Sequence, residues 1–414
     1  MTDINTRNFS DGLYKEAIQK TKDGNISSKD LQDLVKIAEQ GGINNDERNF
    51  LEGLSSRNNI DKVKTLSDTN KPVNISFEAP TQKKEIDQKI KILEAGGDGT
   101  TLENFNKLSN NLKNKFTDLF SGFDATEKKS LIELLDKGTL QKKDSRGTTI
   151  LSTISEMKNG KNKTGVNGND LAKDAVLVLS DRKYITQGPH GTCGAGALQN
   201  HLWSKNPAEL ARIVKDLASE GECKLQDNSI LKVGTGSLDF HYGSKTTDGS
   251  FEDRRDFNII FQSSVMKDVA LIGGDRAIGN AYIYDLADYN VSKDNSDASS
   301  VKSGDSAANP MLLTSLVESI TGFNYEISTS VFWGKDSQMN GLKIATNYGK
   351  EPIALLNADD SKSKIGNKHY VVLQRFENNT VYYWDTATSR DAGYINNMSE
   401  TEFKSRLEGV IKSK

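Results

Sequence analysis

The feature that most limits how this chain can fold is a change of hydrophobic period across a Gly- and Asn-rich segment at 159–169. Upstream of it, apolar residues recur at helical spacing. Leu31, Leu34, Val35 and Ala38 lie at i, i+3, i+4 and i+7, and Gly41-Gly42 closes that face. Phe50, Leu51 and Leu54 open another face. Pro72 and Pro80 bracket an extended linker, after which Ile86, Ile90, Ile92 and Leu93 resume the helical pattern. Leu112, Phe116, Leu119 and Phe120 carry it on, followed by Leu131, Ile132, Leu134 and Leu135. The pattern predicts a helical N-terminal region over 1–71 and a second helical region over 81–158.

Downstream the period shortens. Strand character is read at Ala175–Ser180, Pro352–Asn357, Tyr370–Gln374 and Val381–Trp384. Helices intervene with legible ends. Asn206-Pro207 opens one that Gly221 closes, and Asn309-Pro310 opens another that Gly322 closes. Asn at the cap, Pro in the first turn and Gly past the end follow from the orphan N–H and C=O groups of helix termini. Ser399 and Glu402 form a capping box for a final helix carrying Phe403, Leu407 and Ile411. Residues 286–309 are polar and read as a surface loop. The expected fold class is α+β, with one domain over 172–414.

Composition excludes several function classes. With 414 residues and roughly 150 per domain, two or three domains are expected. Lysine plus arginine (54) nearly cancels aspartate plus glutamate (57), so no basic footprint for nucleic acid exists. The two cysteines, Cys193 and Cys223, are too few for a disulfide scaffold and read as free thiols. No apolar run is long enough for a membrane span, and the first residues lack a signal-peptide core. A soluble, cytoplasmic protein is expected, or one exported without a cleavable signal; its oligomeric state is open. Asp-Gly turns at 22–27 and 96–101 sit between helices. A calcium loop needs oxygen ligands at fixed positions and a closing Glu, which the first turn lacks; ordinary punctuation between helices is the expectation.

The chemistry-bearing segment is Thr186-Gln-Gly-Pro-His-Gly-Thr-Cys-Gly-Ala-Gly-Ala197. Its glycines surround Cys193 just before an expected helix, and a thiol at a helix N-terminus is favoured as thiolate. Gln187, six residues earlier, is placed to bring a side-chain amide back beside the Cys193 backbone N–H as an oxyanion hole. A nucleophilic thiol needs a base. His369 opens a strand that runs into a second strand ending at Asp385. A three-residue loop at 377–379 pairs Phe376 with Thr380 and puts Asp385 opposite Val371, on the same face as His369. A two-residue Asn378-Asn379 turn would put the two on opposite faces. With the odd loop, Asp385 holds one imidazole nitrogen and the other is left for Cys193.

Gln187-Gly-Pro-His-Gly-Thr-Cys193, a helix, His369, and a polar residue sixteen positions later resemble the papain-like cysteine peptidases. The catalytic block, followed by Asn206-Pro-Ala-Glu-Leu-Ala-Arg-Ile-Val214, looks most like the calpain branch. The similarity covers about 175–390. It implies a two-lobed domain, a helical lobe with Cys193 facing a sheet lobe with His369 and Asp385, Gln187 in the oxyanion role, a protein or peptide substrate and no cofactor or metal. Two departures stand out. Gly194 occupies a position where many members carry Trp, and Asp385 one where papain and calpain have Asn, with Thr386-Ala387 following. Cys-His-Asp also serves transglutaminases, so transglutaminase or glutamine deamidase chemistry is the first alternative. An inactive binding protein acting through its helical half is the second.

Overall fold

The computed structural model describes residues 33–34, 88–187, 192–234, 254–269, 308–329, 333–357, 368–387 and 395–414. The chain divides into two compact units, Met1–Gly138 and Thr139–Lys414. The division falls upstream of the 159–169 segment at which the change of period suggested it. The expected helical region 1–71, with its 22–27 turn, lies outside the described residues apart from 33–34. So does most of the 286–309 loop.

In the first unit, helices α1 (Gly99–Lys107), α2 (Asn110–Gly122) and α3 (Ala125–Asp136) follow one another. Phe105, Phe116 and Phe120 form their buried aromatic seam, with ring centroids 5.5 and 5.6 Å apart. The Asp98 carboxylate accepts from the Thr101 N–H at 3.0 Å, and the Thr101 hydroxyl accepts from the Asp98 N–H at 3.1 Å. Asp98 is thus the reciprocal cap of α1. Among the described residues no cluster of His, Cys, Asp and Glu is arranged to hold a metal.

The second unit is α+β. Its helical part contains α4 (Ile150–Asn159), α5 (Gly168–Ser180), α6 (Cys193–Lys205), α7 (Pro207–Glu220), α8 (Asp256–Val269) and α9 (Pro310–Thr321). A short hairpin, β1 (Glu222–Lys224) with β2 (Ile230–Lys232), follows α7. The caps of α7 and α9 agree with the sequence: Asn206 and Asn309 accept first-turn N–H groups, and Gly221 and Gly322 have φ of 74° and 69°. Ala175–Ser180 is not a strand but the end of α5, capped by Asn167. Every residue from Asp174 to Ser180 is buried, so the apolar run Ala175–Leu179 at the end of the helix carries no amphipathic period of its own.

The sheet comprises β3 (Tyr325–Thr329), β4 (Ile353–Asn357), β5 (Lys368–Glu377), β6 (Thr380–Trp384), β7 (Ile395–Ser399) and β8 (Leu407–Ser413). It is antiparallel, in the order β3-β8-β4-β5-β6-β7. Helices α10 (Lys335–Asn347) and α11 (Glu400–Arg406) cover one face, packing Met339, Leu342 and Phe403 on Val371, Leu373, Val381 and Tyr383. The C-terminal helix expected through Ile411 stops at Arg406, and Leu407 and Ile411 belong to β8, inside the sheet. A spacing of four fits both the 3.6 period of a helix and the 2.0 period of a strand. Ser399 does cap α11, accepting from the Glu402 N–H. Among the described residues no helix is long and apolar enough to cross a membrane.

Candidate active site

The β5–β6 hairpin brings His369 and Asp385 together by a different route from the one its loop suggested. The turn has two residues: Glu377 pairs with Thr380, and Asn378 and Asn379 have φ of 49° and 58°. Asparagine tolerates this left-handed backbone, and a turn with two such residues matches the twist of the flanking strands. Alone, that turn would have separated the two side chains. However, the register shifts between Leu373 and Arg375, so that Val372 pairs with Trp384. The unpaired residue is Gln374, a β-bulge that restores the odd count. Continued by one step, the register sets Asp385 across from Val371. The His369 Nε2 lies 2.7 Å from Asp385 Oδ1.

Cys193 is the first residue of α6 and 6% exposed. Its thiol is hydrogen-bonded to the His369 side chain. Because Nε2 is engaged by Asp385, Nδ1 is the nitrogen that meets the sulfur. Burial would push this thiol up. The hydrogen bond and charge of His369, with backbone hydrogen bonds from Tyr370 and Gly194, outweigh it and hold the thiol below its ordinary value of 9.0. At His369 burial disfavours the imidazolium, but Asp385 and Cys193 raise it to about 10. Asp385 in turn is held below the usual carboxylate value against the effect of burial, by His369, the Ala387 N–H at 2.9 Å and the Asn396 side chain. The charges support one another in the order carboxylate, imidazolium, thiolate.

Gln187 is buried and fixed at both ends by one residue. Its N–H donates to the Thr386 carbonyl at 3.0 Å, and its Oε1 accepts from the Thr386 hydroxyl at 2.8 Å. With the amide oxygen held, its NH₂ end is set on the opposite side. Thr386 reaches Gln187 because Gly196 has no side chain; a methyl group there would lie 2.6 Å from the Thr386 hydroxyl oxygen. Gly194 is constrained in the same way. A methyl group at that position would fall 2.6 Å from the Ala308 Cβ and 3.3 Å from the Tyr370 ring. The Tyr370 hydroxyl donates to the Ala308 carbonyl at 2.7 Å, so the space against Gly194 is filled from within the unit.

Cys193, His369 and Asp385 therefore form one hydrogen-bonded line, and Gln187 is joined to Thr386, the residue that follows Asp385. The remaining histidine among the described residues, His201, is elsewhere on α6. Its ring nitrogens lie 2.7 Å from the Glu351 carbonyl and 2.9 Å from the Tyr325 hydroxyl. Burial lowers it to about 4, so it is a neutral packing residue near neutral pH. His190 and His241 lie outside the described residues. Leu202 is core, and Trp203 donates its indole N–H to the Val178 carbonyl at 2.8 Å.

Two supporting residues escaped the sequence reading, Thr386 and Asn396. Thr386 follows Asp385 directly, and an adjacent hydroxyl was the one available signal. Asn396 sits on β7, opposite Tyr383, and only the strand register could have found it. No protein-family model matches this chain, and a search of curated proteins finds no significant match to it.

Proposed function

We propose that the second unit is a thiol-dependent acyl-transfer enzyme, a cysteine peptidase of papain-like kind acting on protein or peptide substrates. The observation that carries the reading is the unbroken line Cys193–His369–Asp385, with its sulfur at the head of a 13-residue helix. A papain-like arrangement of a helical part against an antiparallel sheet part is compatible with the α+β architecture. In this reading the Cys193 sulfur attacks the substrate carbonyl, and the carbonyl electron pair moves onto oxygen. The Gln187 NH₂ and the Cys193 backbone N–H receive that oxyanion. Collapse of the intermediate breaks the C–N bond while His369 Nδ1 delivers its proton to the departing amine. Water, deprotonated by the same nitrogen, then attacks the thioester and releases the acid and Cys193. Asp385 stabilises the imidazolium and orients its ring. No cofactor enters these steps.

A second reading keeps the same acyl-enzyme and changes the acceptor or the carbonyl attacked. Asp385 in place of Asn is the observation that favours it, because glutamine deamidases and transglutaminases resemble this Cys-His-Asp set. The test is product analysis by mass spectrometry after incubation with a denatured protein mixture, beside the Cys193→Ala variant. Cleaved chains that depend on Cys193 support the peptidase. Amide-to-acid conversion at Gln, or Gln–Lys cross-links, with chains intact, would replace it by the second reading. Identical mixtures from the two proteins would leave a binding role as the surviving account.

A further inference from the structure

Among the fully buried polar side chains of the second unit, Thr192, Gln199, Asn258 and Gln262, each 0% exposed, form one connected group outside the triad and its immediate supports. Burying polar groups is costly unless every one is satisfied, and satisfied networks fix geometry. Their bonds converge on a narrow target. The Gln262 NH₂ donates to the Thr186 carbonyl at 3.0 Å and to Gln199 Oε1 at 2.9 Å. Its Oε1 accepts from the Thr192 hydroxyl at 3.0 Å. Gln199 donates onward to Asn258 at 2.7 Å, and Asn258 donates to the Tyr184 carbonyl at 2.6 Å. Asn258 and Gln262 are four residues apart on α8, hence on one face. Together they grip alternate carbonyls of the segment leading to Gln187.

Thr192 adds an independent sign. It is the N-cap residue of α6, a position where threonine ordinarily accepts a first-turn N–H. Here it makes no side-chain cap bond and gives its hydroxyl to Gln262 instead. One side chain on α8 thus ties the residue before Gln187 to the residue before Cys193. Gln187 and Cys193, the residues that follow them, supply the two donors of the oxyanion hole in the reading above, on which this inference rests.

We propose that Gln262 is a positioning residue that sets the separation of the Gln187 amide and the Cys193 backbone N–H. Thr386 fixes the Gln187 side chain from the sheet, and Gln262 holds the Thr186 carbonyl and the Thr192 hydroxyl, one residue before each donor, from α8. Small errors of placement at such a site weaken charge stabilisation in the transition state without altering the nucleophile.

The test uses the full chain and two probes. Acylation is read as the p-nitrophenol burst from p-nitrophenyl acetate, which requires an oxyanion hole. Alkylation of Cys193 by iodoacetamide across pH requires only the thiolate. The variants are Thr192→Val, Thr192→Ser and Gln262→Met. Expected is an acylation rate about tenfold lower in Thr192→Val and roughly tenfold to a hundredfold lower in Gln262→Met. Thr192→Ser stays near wild type, and the alkylation profile is unchanged in all three. Thr192→Val removes a single bond, so it decides the matter even where Gln262→Met fails to fold. Wild-type acylation in Thr192→Val would overturn the proposal. So would a parallel fall in both probes, which marks a loss of the thiolate or the fold. A wild-type chain that alkylates but gives no burst would remove the acyl-transfer reading itself, and this inference with it.

Discussion

The two cysteines are nearly equally buried, 6% exposed at Cys193 and 1% at Cys223, and both sit beside a cation. Their thiols nevertheless move in opposite directions. Cys193 is held below the ordinary thiol value, whereas burial pushes Cys223 up to about 12. Arg212 approaches Cys223 at 3.3 Å, but it also binds Glu209 at 2.5 Å and Asp216 at 2.8 Å. Burial is the largest cause of that rise, and the nearby carboxylates Asp216 and Glu209 oppose the lowering effect of Arg212. The polarity of the sulfur's own contacts differs too. Cys223 donates its S–H toward the Lys224 carbonyl at 3.7 Å, a contact that needs the proton. Cys193 sits at a helix N-terminus and is hydrogen-bonded to His369 and to the backbone of Tyr370 and Gly194, contacts that favour the thiolate. Both sulfurs accept from a cation, but only at Cys193 do further hydrogen bonds from the backbone help that cation outweigh burial.

That contrast can be broken most severely at His369. His369→Ala should lower burst acylation by p-nitrophenyl acetate about a thousandfold or more near neutral pH, leaving Cys193 as inert as Cys223. Gln187→Ala comes next. A loss of about a hundredfold in acylation is expected, with iodoacetamide alkylation of Cys193 unchanged, because only the oxyanion site is altered. Asp385→Asn should cost about tenfold and move the pH profile. Asp385 raises His369, so the imidazolium that persists to about 10 in the native protein would be lost at lower pH in the variant. The alkaline limb of acylation, read from its rate against pH, should shift downward accordingly. The smallest effect belongs to Cys223→Ala, which should leave acylation unchanged and alter stability by about 1 kcal/mol, measured by urea unfolding.

Much of this site was legible in the sequence because its residues are tied to local signals. Cys193 was marked by flanking glycines at a helix start, and Gly194 and Gly196 indeed have no room for a side chain. Capping residues placed α7 and α9 for the same local reason. Legibility ended where two periods coincide or where pairing decides. Leu407 and Ile411 satisfy helix and strand alike, and only the sheet partners on either side settle them as β8. Ala175–Ser180 lost its amphipathic signature because it is buried all round. The hairpin is the most instructive instance. Loop length alone set the parity wrongly, and a bulge at Gln374, which leaves no local mark, restored it. Asn396 and Gln262 act across long stretches of chain, so no local pattern announced them, and Thr386 had only its place beside Asp385 as a signal.

The most direct test of the account is the rate of iodoacetamide alkylation at each cysteine as pH is raised from about 4 to 9, resolved by peptide mass spectrometry. Expected is a Cys193 rate already high below its ordinary midpoint of 9.0, while Cys223 stays unmodified throughout. A Cys193 rate that rises only toward 9.0, in step with an ordinary thiol, would contradict it.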